Sequence, residues 1–237
     1  AALCLKVGLQ SCKELREAKE IEWLSEDLTV ADLATLGTLG SVMPALEELF
    51  VETSAGPDGV QRLAEGLGAG APPAVTDFAI GGVHVGDAGA SALAAALGRG
   101  ALPRLEWLSL SDGDIGDAGL VALAPALRRL PALVVLVLRG NPFGDEGLAA
   151  LLAPPQPAGA PPPATGGLTK LKWLNLCYTQ ITDAGCAALA AAFDGGALPA
   201  LKELYLLGLP QASAAACRKP QGALFARPPP CLRLATR

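Results

Sequence analysis

The sequence predicts an α/β solenoid, in which strand–turn–helix units form a right-handed superhelix with a curved parallel sheet on the concave face and helices on the convex face. Leucines recur in the spacing LxxLxL, whose period of two is that of a strand with one buried face. A turn and an apolar series with helical spacing follow each of them. The whole pattern returns after 25 to 38 residues, and internal periods of about 20 to 50 residues are typical of repeat proteins.

The unit is clearest in residues 105–127. Leu105, Leu108 and Leu110 belong to the predicted strand, and Asp117 stands just before the helical series. We expect the Asp117 carboxylate to cap the N-terminus of that helix. The aspartates that recur at this position are a whole repeat apart, too far to share a calcium ion with ligand distances of about 2.3 to 2.6 Å. No metal site is therefore predicted.

The pattern aligns over seven units, which start at Ile21, Leu46, Val75, Leu105, Leu133, Leu171 and Leu201. An aspartate stands twelve residues after the start in five of them: Asp58, Asp87, Asp117, Asp145 and Asp183. Units written LxxLxLxxxxIxDxGxxxLA resemble the ribonuclease-inhibitor-like class of leucine-rich repeats, which also occurs in NOD-like receptors and Ran GTPase-activating proteins. The resemblance covers residues 21–207 and implies a leucine-rich repeat solenoid. The asparagine of the family's turn is present only as Asn141.

The array is predicted to have irregular ends and one interruption. Residues 1–20 are interpreted as a partial repeat or an N-terminal cap, and residues 21–207 as the array of about seven units. Residues 153–167 are a proline-rich insertion, interpreted as a solvated loop, with a ligand for an SH3-type domain as the alternative. Residues 208–237 are interpreted as an irregular, basic, proline-rich tail or cap.

Composition excludes several classes of function. The net charge is -5 and the 18 basic residues are scattered, so no nucleic-acid partner is expected. No apolar run approaches the roughly 18 residues of a membrane span, and no leader is recognisable at the start. The six cysteines form no CxxC pair, which favours reduced thiols. We therefore expect a cytoplasmic protein without membrane contact.

The predicted binding site lies on the concave face, where the residues between the inward leucines point away from the helices. All three tryptophans fall at one position of the aligned unit. Exposed Trp, Tyr and Arg are typical of interface hot spots, and an acidic N-terminal half favours a partner with basic and apolar groups. The alternative is that the indoles only cover the sheet. The predicted partner-binding residues are Trp23, Asp27, Glu48, Phe50, Glu52, Asp77, Trp107, Arg139, Trp173, Asn175 and Tyr205.

Catalysis finds little support in the sequence. His84 is the single histidine, and no nucleophile stands at a motif spacing around it. The motifs GxxxxGK[ST], GxSxG and HExxH do not occur. We therefore predict a non-enzymatic scaffold that binds a protein, with no cofactor and no small-molecule substrate. The family resemblance implies one alternative, a GTPase-activator-like regulator of a small GTPase, although the basic C-terminal segment departs from that family's acidic one. A purely structural rod is the other alternative.

Overall fold

The computed structural model describes residues 11–24, 28–52, 55–81, 84–152 and 168–213. Within these residues, strands and helices alternate, and seven strands form one parallel sheet in the order of the sequence. A short 3-10 helix lies at Leu39–Val42. The elements are α1 (Cys12–Glu17), β1 (Glu20–Leu24), α2 (Val30–Thr38), β2 (Glu48–Glu52), α3 (Gly56–Gly70), β3 (Asp77–Gly81), α4 (Gly86–Gly98), β4 (Trp107–Ser109), α5 (Asp117–Leu127), β5 (Val135–Val137), α6 (Asp145–Leu152), β6 (Trp173–Asn175), α7 (Asp183–Asp194) and β7 (Glu203–Tyr205).

The predicted α/β fold is confirmed. The strand register aligns the second leucine position of successive units, so that Leu49 pairs with Phe78, and Phe78 with Leu108. These side chains are buried between the sheet and the helices, which pack on one another from α2 to α7. Neighbouring helices need about 8–10 Å, whereas neighbouring strands need about 4.8 Å. The stack therefore bends with the helices outside, and the other face of the sheet is concave.

The first unit is displaced from its predicted position. The register pairs Ile21 with Leu49, so Ile21 occupies the second core position and the unit begins at Ala18, 28 residues before Leu46. The segment IEWLSE resembles LEWLSL of the fourth unit, but it lies three residues out of phase with it. As a result, Trp23 takes the place of a core leucine and is only 2% exposed. The predicted position of Trp23 on the concave surface is wrong.

The recurrent aspartates join consecutive units. Asp117 is the first residue of α5 and does not cap its own helix, contrary to the prediction. Its Oδ1 accepts hydrogen bonds from the backbone nitrogens of Gly144 and Gly147, at 2.8 and 2.7 Å, where α6 of the next unit begins. These amides have no partner within a helix, so the carboxylate caps the following helix. Asp87 does the same for Gly116 and Gly119, and Asp145 accepts from Thr182.

One asparagine satisfies the polar groups of two neighbouring turns. Asn141 is fully buried, and its Oδ1 accepts from the backbone nitrogens of Gly113 and Ile115 at 3.2 and 3.0 Å. Its Nδ2 donates to the carbonyl oxygens of Leu110 and Leu138 at 2.8 and 2.9 Å. A buried amide that meets all its partners stabilises the turn, whereas unpaired backbone groups would be costly.

Candidate partner-binding surface

In the described part of the chain, the helices α2 to α7 pack on one face of the sheet, and we call the other face the open face. Strand alternation assigns to it the residues between the buried core positions, and the register aligns them from strand to strand. In strand order, the residues of the open face are Glu20 and Glu22; Glu48, Phe50 and Glu52; Asp77, Ala79 and Gly81; Trp107, Ser109 and Ser111; Val135, Val137 and Arg139; Trp173, Asn175 and Cys177; and Glu203, Tyr205 and Leu207.

The N-terminal part of the open face is acidic. The register places Glu20, Glu48 and Asp77 side by side on β1, β2 and β3, with about 4.8 Å between strands. Burial raises the pKa of Glu48, and the charges of Glu20 and Asp77 raise it further. Glu22 and the exposed Glu52 flank this row. Glu20 and Glu22 are not among the predicted residues, because the sequence pattern sets the first unit three residues out of phase with the register.

Aromatic rings form two pairs on the same face. The rings of Phe50 and Trp107 meet edge to face, with centroids 5.8 Å apart and an interplanar angle of 84°. They meet across β3, where the small Ala79 leaves room for them. Trp173 and Tyr205 form the second pair, with centroids 6.1 Å apart. Phe50, Trp107 and Trp173 are half-buried, so each combines a fixed position with a surface that a partner can contact.

Two predicted contact residues point away from the helices and are nevertheless buried. Tyr205 packs against Trp173 and donates its hydroxyl hydrogen bond to Glu203; burial and this bond raise the pKa of Tyr205. Asn175 accepts from the backbone nitrogen of Cys177 at 3.0 Å. The expectation that they are accessible is wrong, because side chains on adjacent strands are close enough to shield one another. Both residues therefore pack beneath the exposed side chains of the open face and offer a partner little contact area of their own.

The last predicted residues lie at the edges of the site. The guanidinium carbon of Arg139 is 5.0 Å from the centroid of the Tyr178 ring, a cation–π contact. Tyr178 and Leu207 are 56% and 60% exposed, and neither is among the predicted partner-binding residues. Trp23 lies in the core, and Asp27 lies outside the described residues.

The described residues offer little for catalysis. His84 lies 3.4 Å from Asp114, and both side chains are largely exposed. Burial raises the pKa of the Cys177 thiol, which opposes formation of the nucleophilic thiolate. Within the described part of the chain, no group of His, Cys, Asp or Glu residues is arranged to hold a metal ion, and no helix is long and apolar enough to cross a bilayer. A small cavity beside α4 has only apolar walls, such as Phe78 and Leu93.

The comparisons with known proteins concern the repeats and the fold. Residues 105–124, 130–152 and 167–190 match a family model described as Leucine Rich repeat. No curated protein matches the chain. A chain in the complex of Rad7 and Elc1 in yeast is similar, with 18% identity and a TM-score of 0.55 over 85% of this chain and 45% of that one. Internalin C2 from Listeria monocytogenes is similar with 17% identity and a TM-score of 0.51, over 86% of this chain and 71% of that one.

Identities this low indicate a shared fold alone, and the chain spans less than half of the Rad7–Elc1 chain that it matches. The repeat matches agree with the parallel sheet and alternating helices of the described residues. The matched segments are therefore leucine-rich repeats, and the described residues have the α/β fold typical of such repeats.

Proposed function

We propose that this protein is a non-enzymatic scaffold that binds a protein partner on its open face, through aromatic anchors and acidic residues. Leucine-rich repeat proteins typically mediate protein–protein interactions. One similar structure is itself a complex of two proteins. The observation that carries the proposal is the juxtaposition, on the open face, of half-buried aromatic rings and a row of three carboxylates.

The aromatic residues suit the role of anchors. Phe50 and Trp107 hold each other edge to face, and Trp173 rests on the buried Tyr205. Rings that are already fixed lose little conformational entropy when a partner binds, so more of their contact energy contributes to affinity. Large rings in partly desolvated positions are the usual hot spots of protein interfaces.

The side chains of Glu20, Glu48 and Asp77, which we call the acidic row, favour a partner with basic groups. Glu48 lies between Glu20 and Asp77, and its pKa is raised by burial and then by repulsion from these neighbours. A basic group of a partner would relieve this repulsion and lower the pKa of Glu48, so binding would release protons where that carboxyl is partly protonated. Attraction between the exposed charges would also weaken as salt is added.

Two finer assignments belong to this proposal. Spacings of 28 to 30 residues between most units, with a helix after each of the first six strands, support the ribonuclease-inhibitor-like class of repeats.

Cys177 and Cys186 are buried thiols. They support a location where thiols stay reduced, for which we propose the cytoplasm.

Affinity capture with quantitative mass spectrometry tests the proposal. The baits are the wild type, the double variant Trp107→Ala/Trp173→Ala, and Val121→Ala as a control on the exposed side of α5. We expect at least one protein to be captured by the wild type and the control and to be reduced about tenfold or more by the double variant. Its affinity for the purified chain should then fall with Glu48→Lys and with added salt.

Equal capture by all three baits, with the double variant folded by circular dichroism, would contradict binding through the open face and favour a structural rod. Stimulation of GTP hydrolysis by a panel of small GTPases would instead support the activator that the family resemblance implies.

A further inference from the structure

Tyr178 occupies a backbone conformation that ordinarily favours glycine. Its φ is 58°, in the left-handed region. The same turn position in neighbouring units is held by Asp112, Gly140 and Gly208, with φ values of 52°, 70° and 64°. Asp and Gly are common in this region, whereas a bulky aromatic residue is not. A strained residue that is also 56% exposed suggests a role at the surface.

Contacts from both neighbouring units hold the Tyr178 ring in place. The Arg139 guanidinium stacks over the ring from the preceding unit. On the other side, a Cβ atom at Gly208 would overlap the ring, so the ring lies directly against that backbone. The Tyr178 nitrogen also donates to the Leu207 carbonyl oxygen at 2.7 Å. The exposed ring is therefore preorganised, which lowers the entropic cost of using it in an interface.

Four residues form what we call the rim cluster: Arg139, Cys177, Tyr178 and Leu207. Arg139, Cys177 and Leu207 each lie two residues beyond the register-paired positions at the ends of β5, β6 and β7. Cys177 is buried between the other two, and its Sγ accepts from the Leu207 nitrogen at 3.3 Å. Its neutral thiol makes the floor apolar. Leu207 and Tyr178, the two most exposed large hydrophobic residues among those described, stand beside that floor.

The charge of the rim cluster opposes that of the acidic row. Arg139 is half-buried, and in the described part of the chain no carboxylate lies within ion-pair distance of it. Asp112 approaches Gly140, yet it forms no ion pair with Arg139. Arginine stacked on an aromatic ring keeps the edge of its guanidinium available for a bidentate bond to a carboxylate.

We infer that the rim cluster is a separate contact point for the protein partner, and that it recognises an apolar side chain flanked by a carboxylate. The apolar side chain packs on Tyr178 and Leu207 over the Cys177 floor, and the carboxylate accepts from Arg139. This inference rests on the proposed function. It adds a positively charged contact, Arg139, toward the C-terminal end of the open face, whereas the acidic row lies at the N-terminal end. A partner segment that crosses the sheet therefore carries basic residues at one end and an acidic-apolar group at the other.

Binding of labelled peptides to the purified chain tests the inference. The probes are one short peptide with leucines flanked by aspartates, one with the same leucines flanked by lysines, and one with aspartates and serines. The variants are Tyr178→Gly, which introduces the residue that neighbouring units have at this turn position (Gly140 and Gly208), and the charge reversal Arg139→Glu. Arg104→Glu is the matched control, because exposed Arg104 precedes β4 at the other end of the strands.

We expect the wild type and Arg104→Glu to bind the aspartate–leucine peptide about tenfold or more tightly than the aspartate–serine peptide. The lysine–leucine peptide reports the acidic row, so its binding should fall with Glu48→Lys and be unaffected by Tyr178→Gly. Tyr178→Gly should lose binding of the aspartate–leucine peptide with its melting temperature preserved, and Arg139→Glu should weaken that binding about tenfold or more. No binding of the aspartate–leucine peptide by the wild type, or unchanged binding of it by folded Tyr178→Gly or Arg139→Glu, overturns the inference. Self-association that Tyr178→Gly abolishes also overturns it, since a second copy would then be the occupant.

The affinity of the variants for the partner captured through the open face distinguishes this inference from the proposed function. If its affinity depends on Trp107 and Trp173 but is unaffected by Arg139→Glu, the rim inference fails and the scaffold function stands. If the tryptophan variant loses no partner, the proposed function itself fails.

Discussion

The N-terminal and C-terminal regions of the array are stacked by different hydrogen bonds. The first three strands have five residues each, whereas β4 to β7 have three. From Asp87 onward, carboxylates join one unit to the amides of the next. In the second unit, by contrast, Asp58 is exposed, and a Cβ at Gly89 would meet the side chains of Val60 and Val85. The matches to the repeat family model all fall in the C-terminal region.

This difference shows that the repeat spacing can be maintained in two ways. A longer strand supplies more backbone bonds to its neighbour, whereas a shorter strand leaves a tight turn whose amides need side-chain acceptors. The apolar core is common to both regions. Substitutions in the core should therefore affect the two regions equally, and substitutions of the aspartates should not.

The largest expected effect is the same in both regions. Leu49→Ala in β2 and Leu108→Ala in β4 should each lower the free energy of unfolding by about 2 to 5 kcal/mol, because both side chains are buried and leave cavities. Denaturant melts measure this. Trp107→Ala should cost less than Leu108→Ala, since Trp107 lies on the open face. The reverse ranking would contradict the assignment of the faces.

Substitutions of the aspartates should change the free energy of unfolding by different amounts in the two regions. Asp117→Ala removes two hydrogen bonds and leaves the amides of Gly144 and Gly147 without their acceptor, at a cost of about 1 to 3 kcal/mol. Asp58→Ala should change the free energy of unfolding by less than about 0.5 kcal/mol, as is usual for exposed sites. Equal losses in thermal or chemical melts would show that the two regions are not held differently.

At the turn of the sixth unit, the backbone should prefer glycine. Tyr178→Gly should be more stable than Tyr178→Ala by about 1 kcal/mol, because both remove the ring and only alanine retains the strain of positive φ. Comparing these two variants isolates the backbone cost from the loss of the contact with Arg139. Equal stability would remove the argument that Tyr178 is retained despite strain.

The smallest effect concerns the acidic N-terminal region. The folded-state pKa of Glu48 is raised, so the folded protein binds more protons than the unfolded chain, and stability falls as pH rises through that pKa. Glu48→Gln should therefore raise the melting temperature slightly at neutral pH, and the difference should vanish at acidic pH, where the wild-type carboxyl is protonated. A lower melting temperature at neutral pH would contradict repulsion among Glu20, Glu48 and Asp77.

Much of the fold could be predicted because core leucines repeat with fixed spacing. The first unit is the exception, because the segment IEWLSE resembles LEWLSL and so predicts a start at Ile21, 25 residues before Leu46. The register instead gives a start at Ala18, with the regular spacing of 28 residues. The site was harder to predict. Burial of Tyr205 and Asn175 depends on neighbours that only the folded sheet brings together, and the exposure of Tyr178 depends on a turn conformation that a tyrosine does not signal.

The carboxylates that reach from each unit to the next make the array directional. If a unit is lost from the C-terminal end, the exposed carboxylate of its predecessor becomes hydrated, which is inexpensive. If the unit before α5 or α6 is lost, the backbone amides at the start of that helix lose their hydrogen-bond acceptors. Shortening the protein from its carboxyl end should therefore be better tolerated than shortening it from the amino end, and spontaneous fraying should proceed backward along the chain.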